Sequence, residues 1–190
     1  MKYIISGTNR PGARSLQISE LIQKIYSENG EQVEIIDLAV LPYHELNGQQ
    51  YGGGLHEKWA EAVGKVNQAD ALIFVVPEYN GSAPGALKYF IDHWKYPESF
   101  EHRPVCYVGL GGIFGGLRAV EHLQQVMGYR NAFQYPLRVF LMNIFKTLKD
   151  GKLEDAVALQ LLKDQVAGFK KFVAGLQSQA IDANSLLARK

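Results

Sequence analysis

The sequence predicts an α/β domain in which an open parallel sheet carries helices on both faces. Five apolar runs, mostly too continuous for half-exposed strands, suit a sheet covered on both sides. Amphipathic helical patterns separate them, and such β-α alternation calls for right-handed crossovers. A length of 190 residues favours one domain with a core that needs neither disulfides nor metal.

The first strand is expected at residues 3–5. It leads through a polar loop at 7–15 into a helix whose apolar face is Ile18, Leu21, Ile22 and Ile25. A second strand at 33–38 is followed by an irregular connection, 39–54, with Pro42, Asn47-Gly48 and three successive glycines, a composition expected of a lip over a site. Leu55, Trp59, Val63 and Val66 mark the second helix, residues 71–76 the third strand, and Leu87, Phe90, Ile91 and Trp94 the third helix. The fourth strand, 105–110, runs through a glycine-rich turn into a helix marked by Leu117, Val120, Leu123 and Met127. A fifth strand is expected at 138–142, a second lip at 145–151, and a closing helix with Leu162, Val166, Phe169, Val173 and Leu176 on its inner face. Residues 1–177 are read as a single domain and 178–190 as a C-terminal tail, either an arm on a partner subunit or, more simply, a frayed end.

A formal net charge of +1 provides no field for nucleic acid or an anionic membrane, so any anion site must be local. No apolar segment reaches membrane-spanning length, and the N-terminal apolar stretch is too short for a signal peptide. The single cysteine, Cys106, lies within a strand run, where burial is the simplest role. A reducing cytoplasm is the expected location.

In an open parallel sheet, loops leaving the carboxyl ends of the strands share one edge, where ligands bind. The loop after strand one offers glycines for close approach, hydroxyls at Thr8 and Ser15, cations at Arg10 and Arg14, and the start of a helix with free N–H groups. That set suits a phosphate. The plainer alternative is that Ser15 caps the helix and Arg10 is a solvated charge. Gly7 and Gly12 match the glycines of a Walker A loop, but Ala13 stands where the lysine belongs; a dinucleotide fingerprint fails because position 9 is Asn.

After strand three, Pro77, Glu78, Tyr79, Asn80 and Gly81 offer a flat wall and amide groups suited to a heteroaromatic ring, before Ser82 and Pro84 begin the next helix with ordinary capping chemistry. A third loop, with Gly111, Gly112 and Gly115, either lets backbone pass along the ring's other edge or is merely a glycine-rich turn.

The stretch 77–92 followed by Trp94, together with Gly7-Thr8-x-Arg10-Pro11-Gly12-x-x-Ser15, resembles the NADPH-dependent FMN reductase family. The resemblance implies a flavodoxin-like fold with sheet order 2-1-3-4-5 and noncovalent FMN at the strands' carboxyl ends. It implies that Thr8, Arg10 and Ser15 hold the phosphate while Pro77, Glu78, Tyr79, Asn80 and Gly81 border the isoalloxazine. It further implies NADPH or NADH as co-substrate, a homodimer or dimer of dimers, and a small acceptor: free flavin, quinone, azo compound or metal oxyanion.

In such a protein the cofactor carries the redox chemistry and no side chain has to act as acid or base. The five histidines fit, since none forms a metal-ligand pair at a recognised spacing. A non-catalytic flavodoxin-type electron carrier would use the same fold, but such carriers are commonly strongly acidic. A phosphoacceptor signalling domain would need acidic residues where this chain has Ser6-Gly7 and Pro77-Glu78. The stretch from Trp94 to Phe100 is aromatic-rich for a short connection and is the sequence feature that suggests a subunit contact.

Overall fold

A computed structural model describes residues 1–45, 48 and 54–189. Much of the expected 39–54 lip therefore lies outside the described residues. The strands are β1 (Lys2–Ser6), β2 (Val33–Asp37), β3 (Ala71–Pro77), β4 (Pro104–Leu110), β5 (Phe133–Gln134) and β6 (Val139–Leu141), all pairing in parallel. Their order is β2-β1-β3-β4-β5, with β6 also on β4, so β5 and β6 occupy the fifth, edge position in two pieces. This is the doubly wound flavodoxin-like sheet that the sequence implies.

The divided edge strand has a local cause. Pro136 lies between its two pieces and has no N–H to give to the ladder. Buried Gln165 fills the gap, its amide donating to Tyr107 O at 2.9 Å and Leu137 O at 2.8 Å. Only the second piece matches the strand expected at 138–142.

Alternate residues of each strand feed opposite faces. Helices α2 (Glu57–Gln68), α3 (Gly85–Ile91) and α4 (Leu117–Tyr129) pack on the side of Ile5, Phe74 and Tyr107. Helices α1 (Arg14–Glu28) and α6 (Ala156–Ser178) cover Ile4, Ile73 and Cys106. Cys106 is 1% exposed, and burial pushes its thiol pKa up. Trp94 and Phe100, expected to offer surface to a partner, are instead buried, Trp94 with its ring against Phe74, Phe90 and Phe100. In that stretch Tyr96 stays exposed.

The segment 145–151 is a braced structure. Short α5 (Ile144–Thr147) leads into a hairpin of β7 (Leu148–Lys149) and β8 (Lys152–Leu153), whose leucines are buried in the α1–α6 core. The tail is anchored too, contrary to the fraying expected of it. In α7 (Ala183–Leu187), Asn184 donates to Ala69 O and Asp70 at 3.2 Å and accepts from Arg103 at 2.9 Å. Arg103 is 1% exposed, and desolvation pushes its pKa down to about 10 against the opposing pull of Asp70 and Asp182.

The register fixes where ligands meet the sheet. Ser6 pairs with Asp37 and Val75, Pro77 with Leu110, and Leu110 with Leu141, so the loops after β1, β3, β4 and β6 leave one edge together.

Candidate functional site

The loop from β1 to α1 hugs the sheet because Gly7 donates to Val75 O at 2.9 Å, and a Cβ there would lie only 3.0 Å from that oxygen. The chain then enters α1 at Arg14. Its N-cap is Ala13, with no side-chain cap; Leu16 N–H turns back to Ala13 O at 3.0 Å, while the N–H groups of Arg14 and Ser15 meet no acceptor among the described residues. Ser15 is therefore not the cap. It sits inside the first turn, 1% exposed, with its Oγ 3.2 Å from that of Ser6.

In front of this helix end lies a cleft of about 210 Å³. Residues 10–15 form one wall, residues 77–79 a second, and Leu110 and Gly111 with Ile144 and Phe145 a third. Arg10 and Arg14 are exposed on its rim, and neither is in an ion pair among the described residues. The Arg14 guanidinium lies 5.0 Å over the Phe145 ring, which reaches across from α5. An uncapped helix start beside two arginines, neither ion-paired among the described residues, has the chemistry that suits an anion.

Thr8 joins the first loop to the second. It is 0% exposed and does not line the cleft. Its hydroxyl donates to Tyr79 Oη at 3.1 Å and accepts from Arg10 N at 3.3 Å.

Tyr79 and Ser82 exchange backbone hydrogen bonds of 2.9 and 3.1 Å around Asn80 (φ +51°) and Gly81 (φ +77°). This is the two-residue turn with both central φ positive that Asn-Gly favours, so the Asn80-Gly81 pair is explained by backbone geometry. The turn borders a second hollow of about 400 Å³, opposite the 112–116 loop. Glu78 lines both hollows and is the hinge between them.

The glycines of the third loop divide by role. At Gly116, φ is +85° and a Cβ would fall 2.5 Å from Leu110 N; at Gly115, φ is +57° and a Cβ would strike the β6 backbone at 3.1 Å. Those two let the loop fold back on β4. At Gly112 the nearest atom to a Cβ is 4.0 Å away, on the Phe145 ring, so here the backbone is open.

Sequence reasoning missed Arg118, the second residue of α4. Its Nη1 donates to Glu78 Oε1 at 3.2 Å, and its guanidinium lies 4.3 Å over Phe114. No spacing rule links residues 78 and 118; only adjacency of β3 and β4 does. It placed Phe145 at the start of a lip without aiming its ring at the cleft. The signal available was a lone aromatic in an exposed segment, which sequence cannot aim. None of the five histidines lines either hollow. His122 meets Ser82 Oγ at 2.8 Å outside them.

Together the pieces suit a phosphate monoester carrying a flat heterocycle: an anion seat, a cleft, then a glycine-walled hollow. The sequence profile of the NADPH-dependent FMN reductase family matches residues 3–147. An NADPH:quinone oxidoreductase of Arabidopsis thaliana is 30% identical over 157 residues, 79% of each chain. A quinone reductase of Escherichia coli (strain K12) is 28% identical across 88% of this chain and 92% of its own. Among solved structures, the flavoenzyme NAD(P)H:(acceptor) oxidoreductase FerB of Paracoccus denitrificans superposes with a TM-score of 0.73 at 19% identity, covering 92% of this chain and 97% of its own.

Proposed function

Because the chain belongs to the NADPH-dependent FMN reductase family, whose members move electrons from NAD(P)H through FMN to a small acceptor, we propose that FMN occupies this edge. Its phosphate rests on the start of α1 and its ring lies toward residues 77–81 and 111–112. The observation that carries the reading is the uncapped α1 N-terminus, with Arg10 and Arg14 free of ion pairs among the described residues.

When bound, FMN supplies the hydride and electron transfer between nicotinamide and acceptor. The protein's work is placement. The first-turn N–H groups of α1, Arg10 and Ser15 hold the phosphate, and Arg14 adds a second cation. Thr8 acts as a strut, keeping Tyr79 and the phosphate loop in fixed relation. The N–H of Gly112, where the backbone is open, would stabilise negative charge at the ring's edge, while that of Gly111 is already given to Leu141 O at 3.2 Å. No titratable side chain is assigned a proton transfer.

The acceptor is a flat, largely apolar molecule, a quinone in the first place and azo compounds or free flavin in the second. Ile113, Phe114 and Phe145 are all more than half exposed beside the hollows, a rim that favours such a molecule over a metal oxyanion. The enzyme works in the cytoplasm as a homodimer or dimer of dimers. Its contact includes the groove of about 450 Å³ between α3 and α4, where Tyr96 and Tyr129 are exposed and Arg130 lies over both rings.

The test is anaerobic addition of NADPH to the FMN-loaded protein. The oxidised-flavin absorbance should bleach, and a quinone should restore it. Retention of the oxidised spectrum with both NADPH and NADH would refute the assignment.

A further inference from the structure

We propose that the Glu78 carboxylate reads the single N–H of the oxidised isoalloxazine, the one on its pyrimidine edge, and that Arg118 holds the carboxylate in place to do so. The inference rests on FMN being the ligand of this edge and deepens that reading from a loop to an atom.

Glu78 is set apart by what its two oxygens do. One, Oε1, accepts from Arg118. The other, Oε2, is buried and has no hydrogen-bond partner among the described residues. Leaving a charged acceptor buried and unpaired is costly, so such an atom points to a partner that arrives from outside. Several other buried polar atoms are also unpaired, among them Trp59 Nε1 and Glu98 Oε2, but neither residue lines the site cavities. Glu78 lines both of them.

The side chain has little freedom to swing away. Its N–H donates to Leu110 O at 3.1 Å, and the position a Gly111 Cβ would take is 3.9 Å from Glu78 Cβ, so stem and glycine loop lie side by side. Arg118 is fixed in turn, its guanidinium over Phe114 and its Cδ 3.8 Å from where a Gly81 Cβ would be. The result is a carboxylate between the two glycine loops with one oxygen committed and one free.

Ligand chemistry selects the contact. Apart from its N–H, the ring's pyrimidine edge presents only acceptors, two carbonyls and ring nitrogens, which a carboxylate repels. A carboxylate in contact with that edge is matched only at the N–H. Replacing that hydrogen by a methyl group removes the donor and leaves the phosphate and the rest of the ring unchanged.

The experiment is a cycle of four affinities, measured by calorimetry: FMN and N3-methyl-FMN against the wild-type protein and Glu78→Ala. Wild type should prefer FMN by about tenfold to a hundredfold, the range of a hydrogen bond to a charged group. In Glu78→Ala the preference should fall to within about threefold. Glu78→Gln, which keeps the volume and an acceptor oxygen, should fall between the two and serves if the alanine variant does not fold. An equal preference in wild type and variants, or none in wild type, would overturn the assignment of Glu78 while leaving FMN binding intact. Failure of wild type to bind FMN at all would overturn both readings.

Discussion

Arg10 and Arg14 stand at the same helix end, yet only one has a neighbour that competes for it. Arg14 spends its guanidinium on the Phe145 ring, a contact of about 0.5–1 kcal/mol at an exposed site, whereas among the described residues Arg10 is held only through its backbone N–H. Arg10→Ala should therefore weaken FMN binding by about 1.5–3 kcal/mol and leave the thermal midpoint of the apoprotein nearly unchanged. Calorimetry and a melting curve read the two halves, and an unchanged affinity would place Arg10 in solvent. Cys106 makes the opposite case, a nucleophilic atom type with no access. Because burial raises its thiol pKa, the reactive thiolate is scarce at neutral pH, and native protein should resist an aromatic disulfide reagent that labels it fully in denaturant. Replacing any one histidine should likewise leave flavin reduction within about tenfold of wild type. A thousandfold loss in a folded, FMN-loaded variant would reveal an acid–base role.

At the scale of elements, the strands and main helices were legible because their signal is local. A continuous run such as 71–76 can hardly be anything but a covered strand, and the face of Ile18, Ile22 and Ile25 repeats at helical spacing. The two-piece edge strand was not legible as such, since the polar group that mends it, Gln165, comes from a helix about thirty residues further on. The site divides along the same line. The phosphate loop and the 77–81 turn could be read from contiguous residues, but Arg118 on Glu78 and Thr8 on Tyr79 are contacts made across the sheet edge. Gly115 and Gly116 carry two demands at once: they border the second hollow, and β4 and β6 leave no room for a Cβ at either. Gly116→Ala, with a positive φ and backbone 2.5 Å away, should cost about 1–3 kcal/mol or more in chemical denaturation, and Gly112→Ala far less. Equal costs would mean that the loop relaxes freely.

For the whole molecule, the burial of Trp94 and Phe100 moves the expected subunit contact outward, to Tyr96 and Tyr129. A charge at Trp94 would break the core, so it cannot report on assembly. Tyr129 is 78% exposed, and Tyr129→Glu should leave the fold intact while shifting the sedimentation profile toward monomer, since an isologous contact feels each substitution twice. A wild-type monomer at micromolar concentration with full activity would rule the contact out. The α7 anchor lies at the other end of the sheet from the site: Asn184 and Arg103 meet where β3 and β4 begin. Asn184→Ala should accordingly lower the melting temperature without changing FMN affinity, and a parallel loss of affinity would connect the two ends.

If the start of α1 holds the phosphate of a flavin, the protein must distinguish FMN from riboflavin, which differ by that phosphate alone. Titration calorimetry of the apoprotein should show one FMN per chain, bound at least about tenfold more tightly than riboflavin. The advantage should shrink when Arg10 and Arg14 are both replaced by alanine. Equal affinity for the two ligands in the wild-type protein would mean that the start of α1 does not hold the phosphate.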